Sequence, residues 1–187
     1  MAARPVDRRC PCCGSCDRRT GYADETIRNS RYGIAVVLVC RCRTAELRRS
    51  ARSLLLSGQY RLHMAKEQNP RKRLILSTIG RASIQVLYAE AQGKQHIARD
   101  DCWSALVPAM LRHRATRLVI ERLDGAEVAD QRSISDALAK ADAIGDFAYD
   151  HQSHRDEPLL WLADATAWAT SAGGNWLNII RHMVSAL

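Results

Sequence analysis

The longest apolar stretch in the first half of the chain, residues 33–41, is hydrophobic on both of its alternating faces. It therefore predicts a strand buried in the middle of a sheet. Residues 20–27, Thr-Gly-Tyr-Ala-Asp-Glu-Thr-Ile, predict a second strand. The polar turn Arg28-Asn29-Ser30-Arg31 between the two implies an antiparallel hairpin with a connection of five residues or slightly more. From Thr44, a residue suited to capping a helix, Leu47, Leu54 and Leu55 recur at helical spacing as far as Gly58. Residues 59–64 are expected to form a third strand. Pro70 opens an Arg-rich helix whose Leu74, Ile75 and Ile79 face inward and which Gly80 ends. Residues 83–89 predict a fourth strand.

The second half alternates more regularly. Asp100–His113 reads as helix, Arg117–Arg122 as strand, Asp130–Ala143 as helix, Asp146–Tyr149 as a short strand, and Glu157 onward as helix. Strands separated by helices of this length imply parallel pairing. An α/β fold follows: a mixed sheet that starts with an antiparallel hairpin and continues with parallel βα units, with helices on both faces. Neither an internal repeat nor a low-complexity segment is visible.

Composition bounds this picture without altering it. With 187 residues, 47% hydrophobic, and only 10 Gly and 5 Pro, the chain is sized for one domain rather than a disordered, collagenous or two-domain protein. No apolar run approaches the ~20 residues of a membrane span, and Met1–Arg9 is too charged for a signal peptide, so a cytoplasmic protein without a membrane partner is expected. The formal charge of +8 is unevenly placed: residues 1–99 carry +13 and residues 100–187 carry −5. Only Lys66, Lys72, Lys94 and Lys140 of the 28 basic residues are lysines, a bias that either GC-rich codon usage or bidentate phosphate contacts would produce. A basic half folded among apolar segments points to a polyanionic partner, nucleic acid first.

Four of the seven cysteines fall in Cys10-Pro11-Cys12-Cys13-Gly14-Ser15-Cys16. An odd total without a secretory leader argues against a disulfide scaffold. Cys10/Cys13 and Cys13/Cys16 both have the spacing that lets two thiolates reach one Zn²⁺, which makes Cys10, Cys13 and Cys16 candidate zinc ligands. Closing the tetrahedron requires a second pair, for which Cys40 and Cys42 stand on one face of the apolar strand. The alternative is that residues 1–18 form a flexible Cys/Arg-rich extension ahead of a single domain, 19–187, with Cys40 and Cys102 as small core residues.

Candidate chemistry lies at strand ends, where the backbone leaves the core and side chains meet solvent. Asp24 and Glu25 are adjacent in the first strand, so one must point to each face, and a buried carboxylate without a partner costs several kcal/mol. Glu121 ends a middle strand, with Asp124 three residues on; Asp150 ends the last strand; Asp164 interrupts the apolar helix Leu159–Ala165. Carboxylates converging from separate elements suit Mg²⁺ or Mn²⁺, whose hard oxygen coordination supports phosphodiester cleavage. His63 and Lys66, at the end of the expected third strand, are placed to meet a phosphate. His113, His151, His154 and His182 fall in loops or element ends. Trp161, Trp168 and Trp176 recur every seven or eight residues, as a packing stripe would.

Three segments together resemble the domain-of-unknown-function family 3800: Tyr22-Ala23-Asp24-Glu25-Thr26, Leu62-His63-Met64-Ala65-Lys66 followed by Arg71-Lys72-Arg73, and Asp150 through Leu160-Trp161-Leu162-Ala163-Asp164-Ala165. The resemblance spans roughly residues 20–170 and implies a ribonuclease H-like fold. It further implies that Asp24, Glu121 and Asp164 are catalytic metal ligands, with His63 beside them and Lys66, Arg71, Lys72 and Arg73 on nucleic acid. The chain departs from the family pattern at Thr26, usually Ser, at Glu121, where Asp is expected, and at Asp150-His151-Gln152-Ser153-His154, usually Asp-Ser-Lys. The middle ligand is thereby the least fixed, with Asp124, Asp130 and Glu90 as substitutes. The implied function is a metal-dependent nuclease or related phosphotransfer enzyme. The alternative is a non-catalytic nucleic-acid-binding or assembly protein on a degenerate version of the same fold.

Overall fold

The computed structural model describes residues 18–123 and 125–187. The chain begins with β1 (Arg19–Arg28) and β2 (Arg31–Cys40), paired antiparallel over their full lengths from Arg19↔Cys40 to Arg28↔Arg31. The connection is tighter than the sequence pattern suggested. Asn29 (φ 50°) and Ser30 (φ 61°) both occupy the left-handed region, giving a two-residue turn whose twist matches that of the strands. Asparagine tolerates that conformation better than most residues.

The remaining elements are α1 (Thr44–Ser53), α2 (Asn69–Gly80), β3 (Gln85–Gln92), α3 (Gln95–Arg112), β4 (Ala115–Glu121), α4 (Glu127–Lys140), β5 (Ala148–Gln152), α5 (Leu160–Ala172), α6 (Gly174–Ile180) and β6 (Val184–Ala186). One six-stranded sheet runs β5-β4-β1-β2-β3-β6. β3 is antiparallel to β2, while β4 on β1, β5 on β4 and β6 on β3 are parallel, so the expected mixed sheet is present.

β2 is buried on both faces because a layer of helices covers each. Tyr22, Val37 and Val39 pack under α1, α2, α5 and α6. Ala23, Val36 and Leu38 pack under α3 and α4, where Trp103, Leu106 and Met110 fill the centre. Gly33 is required by this packing, since a Cβ there would collide with the Tyr88 phenol lying across it.

Several boundaries differ from the sequence reading. Residues 59–64 form no strand: Leu62 and Met64 are buried beneath the helices rather than in the sheet, and Met64–Lys66 is a short 3-10 turn. Burial in a helical layer satisfies the same apolar alternation that a strand would show. The edge of β3 is taken instead by β6, which lies inside the segment expected to be one continuous helix. That helix breaks at Gly173, whose φ of 67° is readily reached only without a Cβ, and the chain turns back to the sheet. The helix starting at Thr44 stops at Ser53, before Gly58. α3 and α4 begin at Gln95 and Glu127, each ahead of the aspartate expected to open it, and β5 starts two residues late. The N-terminal extension and its zinc-spaced Cys10, Cys13 and Cys16 lie outside the described residues, as does Asp124. Among the described residues, no helix is long and apolar enough to cross a membrane.

Candidate active site

Strand alternation separates the two acidic residues of β1 as expected. Asp24, 8% exposed, turns with Tyr22 toward the α5 layer, while Glu25 turns with Ala23 toward α3. In the parallel register of β1 and β4 the last pair is Ala23↔Ile120, so Asp24 and Glu121 are the next residues out on neighbouring strands and share a face. A cavity of about 180 Å³ opens at these strand ends, lined in part by Asp24, Glu25, Arg99, Glu121 and Arg122.

Between Asp24 and Glu121 stands His154. Its Nε2 donates to Asp24 Oδ2 at 3.1 Å and its Nδ1 to Glu121 Oε1. The carbonyl of His154 accepts from Trp161 Nε1 at 2.8 Å, which ties the β5–α5 connection to the first turn of α5. Burial alone would lower the His154 pKa, but the hydrogen bonds it donates to the Asp24 and Glu121 carboxylates overcome it and push the value up to about 9. The ring is accordingly an imidazolium at neutral pH, one cation between two carboxylates. Asp24 moves upward from the ordinary carboxylate range, first because it is desolvated and also because the negative Asp164 lies near, against the opposing bond from His154. Its other oxygen accepts from the Glu25 backbone N–H at 2.7 Å.

Asp164 reaches this region from α5. Its Oδ2 accepts from the Met64 backbone N–H at 2.6 Å, and its Oδ1 lies 3.8 Å from Nδ1 of His63. The partly exposed His63 thus sits at the rim. Its segment comes here by packing under α5, although it is not the strand end the sequence suggested.

Further along α5, toward the hairpin turn, cations and indoles alternate. The Arg28 guanidinium lies 5.6 Å and the Lys72 ammonium 4.5 Å from the centre of the Trp168 ring, and Arg73 is 5.5 Å from that of Trp176. The two indoles meet edge to face at 5.4 Å. Trp161 by contrast is buried, so only the first member of the stripe is purely packing. Lys66 is exposed on the 3-10 turn. Arg71 instead turns inward, donating to the Leu54 carbonyl and lying 3.6 Å from Glu67.

Of the substitute ligands, Asp130 and Glu90 do not join the site. Asp130, 1% exposed, faces the opposite helical layer and accepts from Arg99 Nε at 2.5 Å and Nη2 at 2.8 Å, Trp103 Nε1 at 2.7 Å and His151 Nε2 at 2.9 Å. Arg99 also pairs with Glu25, which accepts from the Tyr32 hydroxyl. Glu90 pairs with Arg31 at 2.8 Å on the far side of β2, and Asp150 pairs with Arg117 at 2.8 Å within the outer strands.

The donor types at this site are those a divalent cation takes. Asp24, Glu121 and Asp164 supply hard oxygens, and Glu121 Oε2 is buried without a hydrogen-bond partner. In the arrangement described, no three acidic, histidine or cysteine side chains among the described residues gather closely enough to hold an ion. His154 itself supplies the positive charge between Asp24 and Glu121.

Comparison with known proteins isolates the fold. No family model and no curated protein matches the chain. A chain of the PCNA:RNase HII complex from Archaeoglobus fulgidus superposes with a TM-score of 0.56 at 12% identity, covering 82% of this chain and 73% of that one. The fold is ribonuclease H-like. RNase H1 from Halobacterium salinarum NRC-1 is also matched, at 11% identity over 79% of this chain and 96% of that one, with a TM-score of 0.37 that is too low to add weight. In a ribonuclease H-like sheet the central parallel strands β1 and β4 end side by side, which is what brings Asp24 and Glu121 together. The residue that sequence reasoning undervalued is His154, one loop histidine among several. The available signal was topological: the connection from β5 to α5 passes the carboxyl ends of the central strands, where functional side chains gather.

Proposed function

We propose that the protein is a nuclease or related phosphotransfer enzyme acting on nucleic acid, with Mg²⁺ or Mn²⁺ held by Asp24, Glu121 and Asp164. The observation that carries this reading is the convergence of buried Asp24 and partly buried Glu121, from adjacent strands, on a single cationic ring, with Asp164 close enough to raise Asp24. Such an arrangement binds positive charge, and the unpartnered Glu121 oxygen is an acceptor still in need of it. When bound, the metal would activate a water and stabilise the leaving oxygen of a phosphodiester.

The chain's own residues do the rest. His154 orients Asp24 and Glu121 and compensates their charge. His63, at the rim beside Asp164, and exposed Lys66 are placed to meet a phosphate. Arg28 and Arg73, held over Trp168 and Trp176, extend a cationic track from the site toward the hairpin turn, whereas Lys72, 8% exposed, is buried against the Trp168 ring and does not reach solvent with them. Membership of the domain-of-unknown-function family 3800 is part of the same proposal, resting on the motifs around Asp24, His63 and Asp164.

The test is cleavage of labelled RNA, DNA and RNA–DNA hybrid by wild type and Asp24→Asn in Mn²⁺, Mg²⁺ and EDTA. Metal-dependent cutting by wild type that falls at least ~100-fold in the variant is expected. Absence of cutting, or equal cutting by both proteins, overturns the enzyme reading.

One observation favours a second reading. Because His154 already balances Asp24 and Glu121, a non-catalytic nucleic-acid-binding or assembly protein could keep this geometry without metal. Salt-dependent binding with no metal-dependent rise in Tm would identify that case.

A further inference from the structure

The face of the sheet that carries Asp24 and Glu121 has a second opening, at the amino ends of the same two strands. α5 packs mainly on β1 and β2, which leaves the outer strands β4 and β5 partly open on this side. A cavity of about 520 Å³ fills the space between those strands and the start of α1. Its floor is Tyr22 and Val119, paired in register and both buried. Its walls are polar. Arg117 comes from β4, Arg48 from α1, and Arg41 from the short 3-10 turn Arg41–Arg43 that follows β2, with Arg18 at the rim. Glu157 is the single carboxylate among the described residues that line it. Arg19 lies on the same rim but gives its guanidinium to Gln85 at 3.1 Å.

The engagement of each arginine decides what the cavity can hold. Arg48 donates through Nε, 3.0 and 3.1 Å from the two Glu157 oxygens, and through Nη2, which cancels the negative charge and leaves Nη1 uncommitted among the described residues. Glu157 is 3% exposed and also accepts from the Leu159 backbone N–H at 3.0 Å, so this pair is a fixed part of the wall. Arg117 gives only Nη2 to Asp150, at 2.8 Å in a solvent-exposed bridge that contributes little and is readily exchanged for another anion. Arg41 is exposed and makes no hydrogen bond or ion pair with the described residues. On the floor, the Tyr22 hydroxyl meets Thr44. Burial, with Glu157 nearby, pushes the Tyr22 pKa up to about 12, so the hydroxyl stays neutral.

The cavity is therefore positive, rich in N–H donors and closed to apolar anchoring, since Tyr22 and Val119 are 3% and 2% exposed. A peptide would need an apolar recess to hold a side chain. Phosphate needs only donors, and the planar guanidinium fork matches its oxygens. Several such forks around one cavity suit a ligand with more than one phosphate.

We propose that this cavity is an oligophosphate site, in which Arg41, Arg117 and Nη1 of Arg48 hold neighbouring phosphate groups of a phosphate chain or a nucleic-acid strand. The site does not rest on the metal centre or on the function proposed for it. Arg117 and Glu121 stand four residues apart on β4, which separates their Cα atoms by roughly 13 Å.

The test measures tripolyphosphate by calorimetry and a labelled single-stranded oligonucleotide by fluorescence anisotropy, at low salt in EDTA so that no metal bridges either ligand to the carboxylates. Wild type is expected to bind at least one of them. Arg41→Ala and Arg117→Ala should each lower the affinity for the bound ligand about 10-fold. Both residues are exposed, so both variants should keep the wild-type Tm. Arg48→Ala decides less, because it also strands buried Glu157. Arg31→Ala removes the same charge at the hairpin end of β2, where Arg31 pairs with Glu90, and should leave affinity unchanged. Weaker tripolyphosphate binding in the two variants assigns the site to a phosphate chain as such. Weakening confined to the oligonucleotide, with the salt slope reduced by about one per variant, assigns it to a nucleic-acid strand. Wild type that binds neither ligand overturns the proposal. Affinity that survives either Arg41→Ala or Arg117→Ala does so too, as does an equal loss in Arg31→Ala.

Discussion

Replacing Asp130 with alanine should cost this protein a large part of its stability while leaving the carboxylate site in place. The Asp130 carboxylate accepts four hydrogen bonds, two from Arg99 and one each from Trp103 and His151, in a layer closed to solvent. Opposite charge and hydrogen bonds from Arg99 outweigh the desolvation that opposes them, holding the carboxyl below the ordinary carboxylate range. Truncation leaves the buried Trp103 N–H without an acceptor, which costs about 1–3 kcal/mol, and removes one of two counter-charges from Arg99. Breaking a buried ion pair from one side typically costs about 3–5 kcal/mol. Because Glu25 still pairs with Arg99, we take the lower part of that range for the charge and expect about 4 kcal/mol in total. For a domain of this size, each kcal/mol shifts Tm by about 2–4 °C, so a fall of roughly 8–16 °C should be seen by circular dichroism. Asp130→Asn, which keeps one acceptor oxygen, should lie between the two. Sign and pH follow from the lowered pKa. The stabilisation is complete above the unfolded value near ~3.9 and is lost as pH falls through the lower folded value, so the gap between wild type and variant should be constant at neutral pH and narrow below about pH 4. A loss under about 1 kcal/mol at pH 7, or a gap that widens in acid, would refute the reasoning.

Removing His154 as His154→Ala leaves Asp24 and Glu121 facing one another without a cation. A loss of about 3 kcal/mol is expected, together with a larger Mn²⁺-induced rise in Tm than wild type shows; equal rises would count against His154 as the charge between the carboxylates. Gly33→Ala drives a Cβ into the Tyr88 ring and should cost about 1–3 kcal/mol in denaturant unfolding, with no loss meaning that Tyr88 moves aside freely. If the Trp168/Trp176 track holds phosphates, Arg28→Ala and Arg73→Ala should each reduce the slope of log affinity against log salt by about one, measured by fluorescence anisotropy on a labelled oligonucleotide. An unchanged slope would remove that residue from the interface.

The candidate site residues were legible to different degrees. Asp24 and Glu25 had to diverge because neighbouring strand residues point to opposite faces, and Glu121 was marked by the end of an apolar strand. Asp164 stood out as a charge within an apolar helix. His154 had no such local mark: its sequence context is that of any polar loop, and its position between two carboxylates arises from contacts across 130 and 33 residues of chain. Asp130 illustrates the converse. It reads as an acidic residue near a helix start and a substitute for the middle ligand, yet it faces Arg99 and Trp103 across the interface of α3 and α4, on the side of the sheet away from the site.

What the sequence determined by itself was everything set by short-range periodicity. Double-sided burial of β2, the βα alternation of the second half, and the separation of Asp24 from Glu25 all follow from side-chain spacing along the backbone. Where apolar alternation had two physical solutions, the sequence could not choose between them. Leu62 and Met64 satisfy it under helices rather than in a strand, and residues 184–186, which continued a helical pattern, complete the sheet edge after Gly173 turns the chain. Tertiary structure alone decided which charges meet. Pairings such as His154 with Asp24 and Glu121, or Arg99 with Asp130, are made across the fold, where burial and the strength of a charge pair depend on elements that no local window contains.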